Sequence, residues 1–220
     1  MKHWLAWLLV LTTGDAVAQQ IVPPDEIVIH VNSDVRNTEF VEPLVCELQK
    51  VVRAPVRAKK IELALTDDLR ETRTQFSPRK IVGKFAAMTA GESEMARPFR
   101  YLILDHDLKV PDLNYVFAET YSRPFSVISV VRLAPTVEPH LAKRAAETIT
   151  LPRVYKLMLK SVAIMAGLRS EGCVMMFPRS LPDLDAKPSD YCPEDRAALV
   201  GAKVIKETPS GSCSAVVASR

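Results

Sequence analysis

Apolar positions along the chain follow two periods. Ile27-Val28-Ile29-His30-Val31 is a compact, mostly β-branched run, the pattern of a buried strand. From Thr38 to Val52 the apolar residues Phe40, Leu44, Leu48 and Val51 recur every three or four positions and predict a helix. Val56 to Leu65 alternates and predicts a second strand. In Ser77 to Met88, Ser77 suits a cap, Pro78 suits the first helical position, and Ile81, Phe85 and Met88 form a stripe. Tyr101 to Leu104 reads as a strand. Tyr115 to Tyr121 and Phe125 to Leu133 read as two more, joined as a hairpin by a turn around Ser122-Arg123-Pro124. Two helices follow, Pro139 to Thr148 and Pro152 to Ala166, the second stopped by Gly167. From Cys173 to Cys192 the chain is dense in proline and aspartate and reads as loop, and the stretch after Lys206 reads as irregular. This order predicts an α/β fold with a mixed sheet in one domain, with no linker to divide it.

The N-terminus changes the setting. Lys2 and His3 precede an apolar run from Trp4 to Leu11 and then Ala16-Val17-Ala18, the layout of a signal peptide cleaved after Ala18. The run is far short of the roughly 20 residues of a spanning helix. The expectation is a periplasmic or secreted protein: signal peptide 1–18, folded domain 19–206, irregular tail 207–220. A net charge of +3 over 220 residues, with no basic block, excludes the electrostatic footprint of a nucleic-acid binder. Cys46, Cys173, Cys192 and Cys213 make an even count, compatible with disulfides in an exported chain, and sequence alone allows three pairings.

Candidate chemistry is sparse. His30, His106 and His140 share no ligand spacing with one another or with a cysteine. Lys160 and Ser161 are adjacent on a helix and point about 100° apart, so they are not a serine–lysine pair. Cys173 has no neighbouring histidine, and Asp183, Asp185 and Asp190 read as solvated loop carboxylates. Arg153, Lys156 and Lys160 recur on one helix face. They form either a solvated basic stripe or the wall of a cleft that prefers an anionic group such as a peptide carboxylate.

Several stretches together resemble the archaemetzincins, a metzincin-type family of zinc peptidases. Thr74-Gln75-Phe76 is similar to the family's arginine-glutamine-tyrosine helix entry. Leu104-Asp105-His106-Asp107-Leu108, with Pro111-Asp112-Leu113-Asn114-Tyr115-Val116-Phe117-Ala118, resembles its "D-L…P-G-L-N-F-V-F-G" segment. Val127-Ile128-Ser129-Val130-Val131-Arg132-Leu133 resembles "V-I-S-L-A-R-L", Arg153-x-x-Lys156 stands where the family's helix begins, and Gly167-Leu168 and Cys173-Val174-Met175 resemble its helix stop and Met-turn. The resemblance runs from about Arg73 to Leu199. It implies a metzincin-like domain with a twisted mixed sheet, packed helices and Met175 as a hydrophobic floor.

The family signature H-E-x-x-H-x-x-G-x-x-H places two histidines on one helix face and a third after a glycine turn, around a zinc whose water the glutamate deprotonates. Anchored on Gly167, those positions are Lys160, Ser161, Ile164 and Ser170. An ammonium and an isoleucine offer the metal no lone pair, and a neutral serine cannot take the water's proton. The resemblance therefore implies no catalytic residue and no zinc. The family's structural zinc uses cysteines. Here Cys173 and Cys192 match two positions, while Glu171 and Asp195 replace the others, too few thiolates for a closed site. The resemblance implies instead that Cys173 and Cys192 pair, which leaves Cys46 with Cys213 by arithmetic.

It also implies that a strand within Tyr115 to Thr120 borders the cleft and pairs with a peptide backbone, a mode that needs no metal. The binding candidates are Tyr115, Val116, Phe117 and Ala118 on the strand, with Lys156 and Lys160 on the helix. The expectation is an exported pseudopeptidase that binds a peptide or protein. A hydrolase with non-standard metal ligands and a purely structural or assembly protein are the alternatives.

Overall fold

The computed structural model describes residues 20–92, 97–121 and 124–211. The expected signal peptide, Ser122 and Arg123 of the expected turn, and Cys213 lie outside them. Five strands form one sheet in the order β2-β1-β3-β5-β4, where β1 is Glu26–Asn32, β2 Val56–Ile61, β3 Pro98–Leu104, β4 Ala118–Thr120 and β5 Phe125–Ser129. The first four strands in that order are mutually parallel, and β4 runs antiparallel to β5 at the edge. The sheet is mixed, as the pattern predicts.

Helices cover both faces, which is why the parallel strands read as continuous apolar runs. Helices α1 (Val41–Val51) and α4 (Leu151–Ala166) pack on one face against Ile27, Ile29, Tyr101 and Ile103. Helix α2 (Pro78–Thr89) covers the other face, where Ile81 and Phe85 meet Leu102, Leu104 and Val127. The period of two along β3 sends alternate residues to the two cores. Before α4 the chain passes through a 3₁₀ turn at Pro139–Leu141, the short α3 (Ala142–Ala145) and a π turn at Ala146–Thr150. The π turn precedes Pro152, whose missing amide and bulky ring disfavour a regular α turn there. Gly167 ends α4 at φ 107°, and Leu168 N–H donates to Ala163 O at 2.9 Å, closing the helix end.

Local expectations shift in several places: the strand expected to Leu65 ends at Ile61, and the helix expected over Pro139 to Thr148 is broken into the 3₁₀, α and π turns above. Ser77 precedes α2, but its side chain makes no capping bond, and Pro78 alone sets the start. The strand expected from Tyr115 narrows to three residues, because Val116 instead bridges Leu108. The expected strand to Leu133 ends at Ser129, after which Leu133 N–H turns back to Val130 O. The segment expected as loop holds a 3₁₀ turn at Cys173–Met175 and the helix α5 (Leu181–Ala186). A further helix, α6 (Pro193–Gly201), follows it. Among the described residues no helix is long and apolar enough to cross a membrane.

Candidate functional site

A cleft of about 550 Å³ lies between β4, one face of α4 and the segment after the Cys173–Met175 turn. Leu157, Lys160, Ser161 and Ile164 line it from α4, at the i, i+3, i+4, i+7 spacing of one helix face. Tyr115 to Thr120 forms the wall above, and Phe177 to Arg179 the wall opposite. Tyr115 Oη donates to Arg179 O at 3.2 Å and closes one end.

The upper wall is braced from behind. Arg132 forks onto Asp107 at 2.7 and 2.6 Å and lies 4.1 Å over the Tyr115 ring. Gln75 Nε2 donates to Asp107 Oδ2 at 3.0 Å and to Asn114 O at 2.7 Å. The matched segments around Gln75, Asp107 and Arg132 thus converge on one support for the strand. Phe117 O accepts from Ser129 N–H at 2.9 Å. By strand alternation, the backbone groups of Ala118 and Thr120 then point to the free edge.

Three positions of the expected zinc frame, Lys160, Ser161 and Ile164, line the cleft, Ser170 does not, and these side chains do not fit zinc. Lys160 Nζ sits 5.2 Å from the Phe177 ring centroid and, among the described residues, makes a long contact of 3.5 Å to Met176 O. Burial lowers the Lys160 ammonium's pKa, while Glu119 and Glu171 oppose that shift. Ser161 Oγ lies 2.6 Å from Thr120 Oγ1 and 3.0 Å from Ser126 Oγ, so its partners are hydroxyls and not a base. Ile164 adds apolar surface to the cleft. Ser170 Oγ donates to Asp195 Oδ2 at 2.7 Å, joining the third-histidine position to the last cysteine position. Among the described residues no three His, Cys, Asp or Glu side chains gather as a metal could use them. His30 instead meets Glu92 at 2.7 Å, and His106 meets Asp34 at 3.1 Å. Met175 is buried in the main core beneath the cleft.

The expected basic stripe separates. Arg153 forks onto Asp185 at 2.7 Å through both nitrogens and also donates to Leu133 O at 2.8 Å. Lys156 is buried, and its Nζ donates to Leu184 O at 3.0 Å and Asp185 O at 2.7 Å, holding the end of α5. Lys156 therefore does not line the cleft, and Lys160 alone of the three does. Cys173 and Cys192 are bonded, with Cα atoms 5.4 Å apart. A Cβ on Gly172 would lie 2.8 Å from Cys192 Sγ, so the glycine makes room for the bridge.

Three residues escape the sequence reading: Glu119 and Phe177 in the cleft wall, and the buried Lys187, whose ammonium interacts with that of Lys160. Burial pushes the Glu119 carboxyl up, and Lys160 opposes that shift. Phe177, 54 % exposed, stands on the rim two residues after the Met-turn. Its place two residues past the Met-turn is the one signal that could have found it.

No protein-family model matches the chain, and no curated protein matches it by sequence. Solved structures do match. The archaemetzincin of Methanopyrus kandleri aligns at TM-score 0.61 and 24 % identity, over 80 % of this chain and 94 % of that one. A zinc-dependent peptidase from Methanocorpusculum labreanum aligns at TM-score 0.65 and 21 % identity, over 79 % and 99 %. The archaemetzincin of Archaeoglobus fulgidus, complexed with malonate, aligns at TM-score 0.56 and 24 % identity, over 78 % and 98 %. At these identities the likeness establishes the fold. The five-stranded mixed sheet with its packed helices is that of an archaemetzincin-like α/β domain.

Proposed function

We propose that this chain is an exported, non-catalytic relative of the archaemetzincins whose cleft binds peptide by strand addition to β4. One observation carries the reading. The cleft stays open between a free strand edge and α4, while the α4 positions that would hold and activate a zinc-bound water are Lys160, Ser161 and Ile164. A lysine in place of the first histidine puts positive charge where the cation would sit. Serine in place of the glutamate removes the general base. An open cleft favours a binding role over a purely structural one, because a domain kept only for assembly has no reason to hold such a volume empty.

Export is supported by the N-terminal pattern and by the Cys173–Cys192 bond, which suits an oxidising compartment. In this reading the bond does the work that a structural zinc does in the resembled family, pinning the turn that carries Phe177.

The test is binding of the blocked peptide acetyl-Ala-Val-Ala-Ala-amide, followed by backbone amide shifts. Ala118→Pro deletes one N–H on the free edge, where proline is tolerated. The variant is expected to bind about tenfold more weakly, the equivalent of about 1.4 kcal/mol for one lost hydrogen bond. Equal binding to both proteins rejects strand addition. Cleavage of the peptide that a chelator abolishes favours a hydrolase with other metal ligands.

A further inference from the structure

Lys187 lies just past the C-terminal end of α5 and is 3 % exposed. Its Nζ finds no hydrogen-bond partner among the described residues. A buried ammonium without a partner is among the costliest groups a core can hold. Two further ammoniums bear on it, Lys160 and Lys156, both from α4.

The neighbouring carboxylates do not resolve this excess. Asp185 is held by Arg153, and Lys156 spends its protons on two backbone carbonyls. Glu119 on β4 and Glu171 before the Met-turn attract Lys160, yet neither comes within ion-pair distance of it among the described ion pairs. Among the described residues Lys160 and Lys187 are left as two cations with no paired anion, one lining the open cleft and the other buried close enough for their charges to interact. The basic stripe expected from sequence has thus been replaced by a different pair, assembled from α4 and the end of α5.

We infer that the cleft seats a ligand carboxylate against Lys160 Nζ, with Lys187 supplying a second positive charge from behind. This rests on the cleft being a binding site and names what it recognises. The carboxylate comes from the C-terminus of a bound peptide or from a small carboxylic acid. Burial and the two neighbouring lysines push the Lys187 ammonium down to about 7. A bound anion stabilises the protonated form, so binding takes up a proton near neutrality and weakens as pH rises through about 7. Glu119 attracts the Lys160 ammonium and competes with the ligand for it.

The deciding probe is malonate, a dianion that cannot pair with a strand edge, titrated in metal-free buffer at pH 6 and pH 8. Saturable binding is expected, about tenfold weaker at pH 8, the ratio of protonated Lys187 at the two values. Lys160→Met should weaken binding at pH 6 at least about tenfold, since a charge-assisted contact is lost. Lys187→Met should remove the pH dependence, which a merely structural role for Lys187 would leave in place. No saturable binding at pH 6, or binding indifferent to Lys160→Met, overturns the inference.

Acetyl-Ala-Val-Ala-Ala with a free carboxylate is then compared with its amide. Preference for the acid assigns the carboxylate to a peptide C-terminus, and equal binding beside a malonate response assigns it to a small acid. A malonate response without amide binding retains the seat and retires strand addition. Amide binding without a malonate response does the reverse.

Discussion

Lys187 makes a claim about stability as well as about binding. Its amine has an ordinary pKa of 10.5 in the unfolded chain and about 7 in the folded one. Between those values the unfolded chain holds a proton that the native state has lost, so stability rises with pH across that window. Below about pH 7 both states are charged and the cost of burying this charge beside two other lysines is felt in full, about 5 kcal/mol. Lys187→Met is therefore expected to be more stable than the parent by several kcal/mol at pH 6, with the advantage shrinking toward pH 10. Urea midpoints at pH 6 and 9.5 check this, and an equal difference at both would show that Lys187 holds its proton normally. This residue was illegible in the sequence because its neighbours come from α4, a separate element. The spacing of Lys160, Ser161 and Ile164 placed them correctly on one face. Lys156, on the same apparent stripe, turns to the end of α5, a helix that the proline-rich segment did not announce.

Elements were legible where a strong period met a large core. β1, α1, α2 and α4 bury stripes of apolar residues, and each appears within a few positions of its expected bounds. α5 has six residues and buries only Leu184, and α6 buries only Leu199. Such helices gain little from their own pattern. α5 is held by contacts that sequence does not display: Ser180 Oγ accepting from Asp183 N–H at 3.3 Å, Arg153 on Asp185, and Lys156 on the last carbonyls. β4 is short for a similar reason, since Leu108 takes the backbone of Val116 before the strand begins. The Cys173–Cys192 bond closes a loop with a sequence separation of 19 around α5. In the chain-entropy account a loop of this size is worth about 3 kcal/mol. The Cys173→Ser/Cys192→Ser double variant is expected to lose about that much in denaturant unfolding, and to lose malonate affinity as the Phe177 segment loosens. A variant with unchanged stability would mean that α5 and the Met-turn hold the loop unaided.

At the scale of the whole molecule, the fold and a zinc site make different demands, so on the non-catalytic reading the architecture can persist without a metal. Helix α4, Gly167 and Met175 form the lower core, where Val154, Met158, Val162 and Met165 are fully buried, and changing them costs the fold itself. Of the ligand positions, Lys160, Ser161 and Ile164 face the cleft and Ser170 lies outside its lining, and there a substitution removes chemistry at less cost to the core. Lys160, Ser161, Ile164 and Ser170 show the result: each is accommodated locally, by an aromatic ring, by hydroxyls, by apolar neighbours and by Asp195. Restoring a site would therefore take several simultaneous changes. The consequence is measurable on the purified protein. After equilibration with zinc and removal of the excess, elemental mass spectrometry is expected to find well under one equivalent bound, and thermal unfolding should not move on adding chelator, since only a ligand bound to the native state shifts it. One tightly held zinc per chain would overturn the non-catalytic reading. It would require ligands drawn from distant parts of the chain, beyond the clusters formed by the described residues.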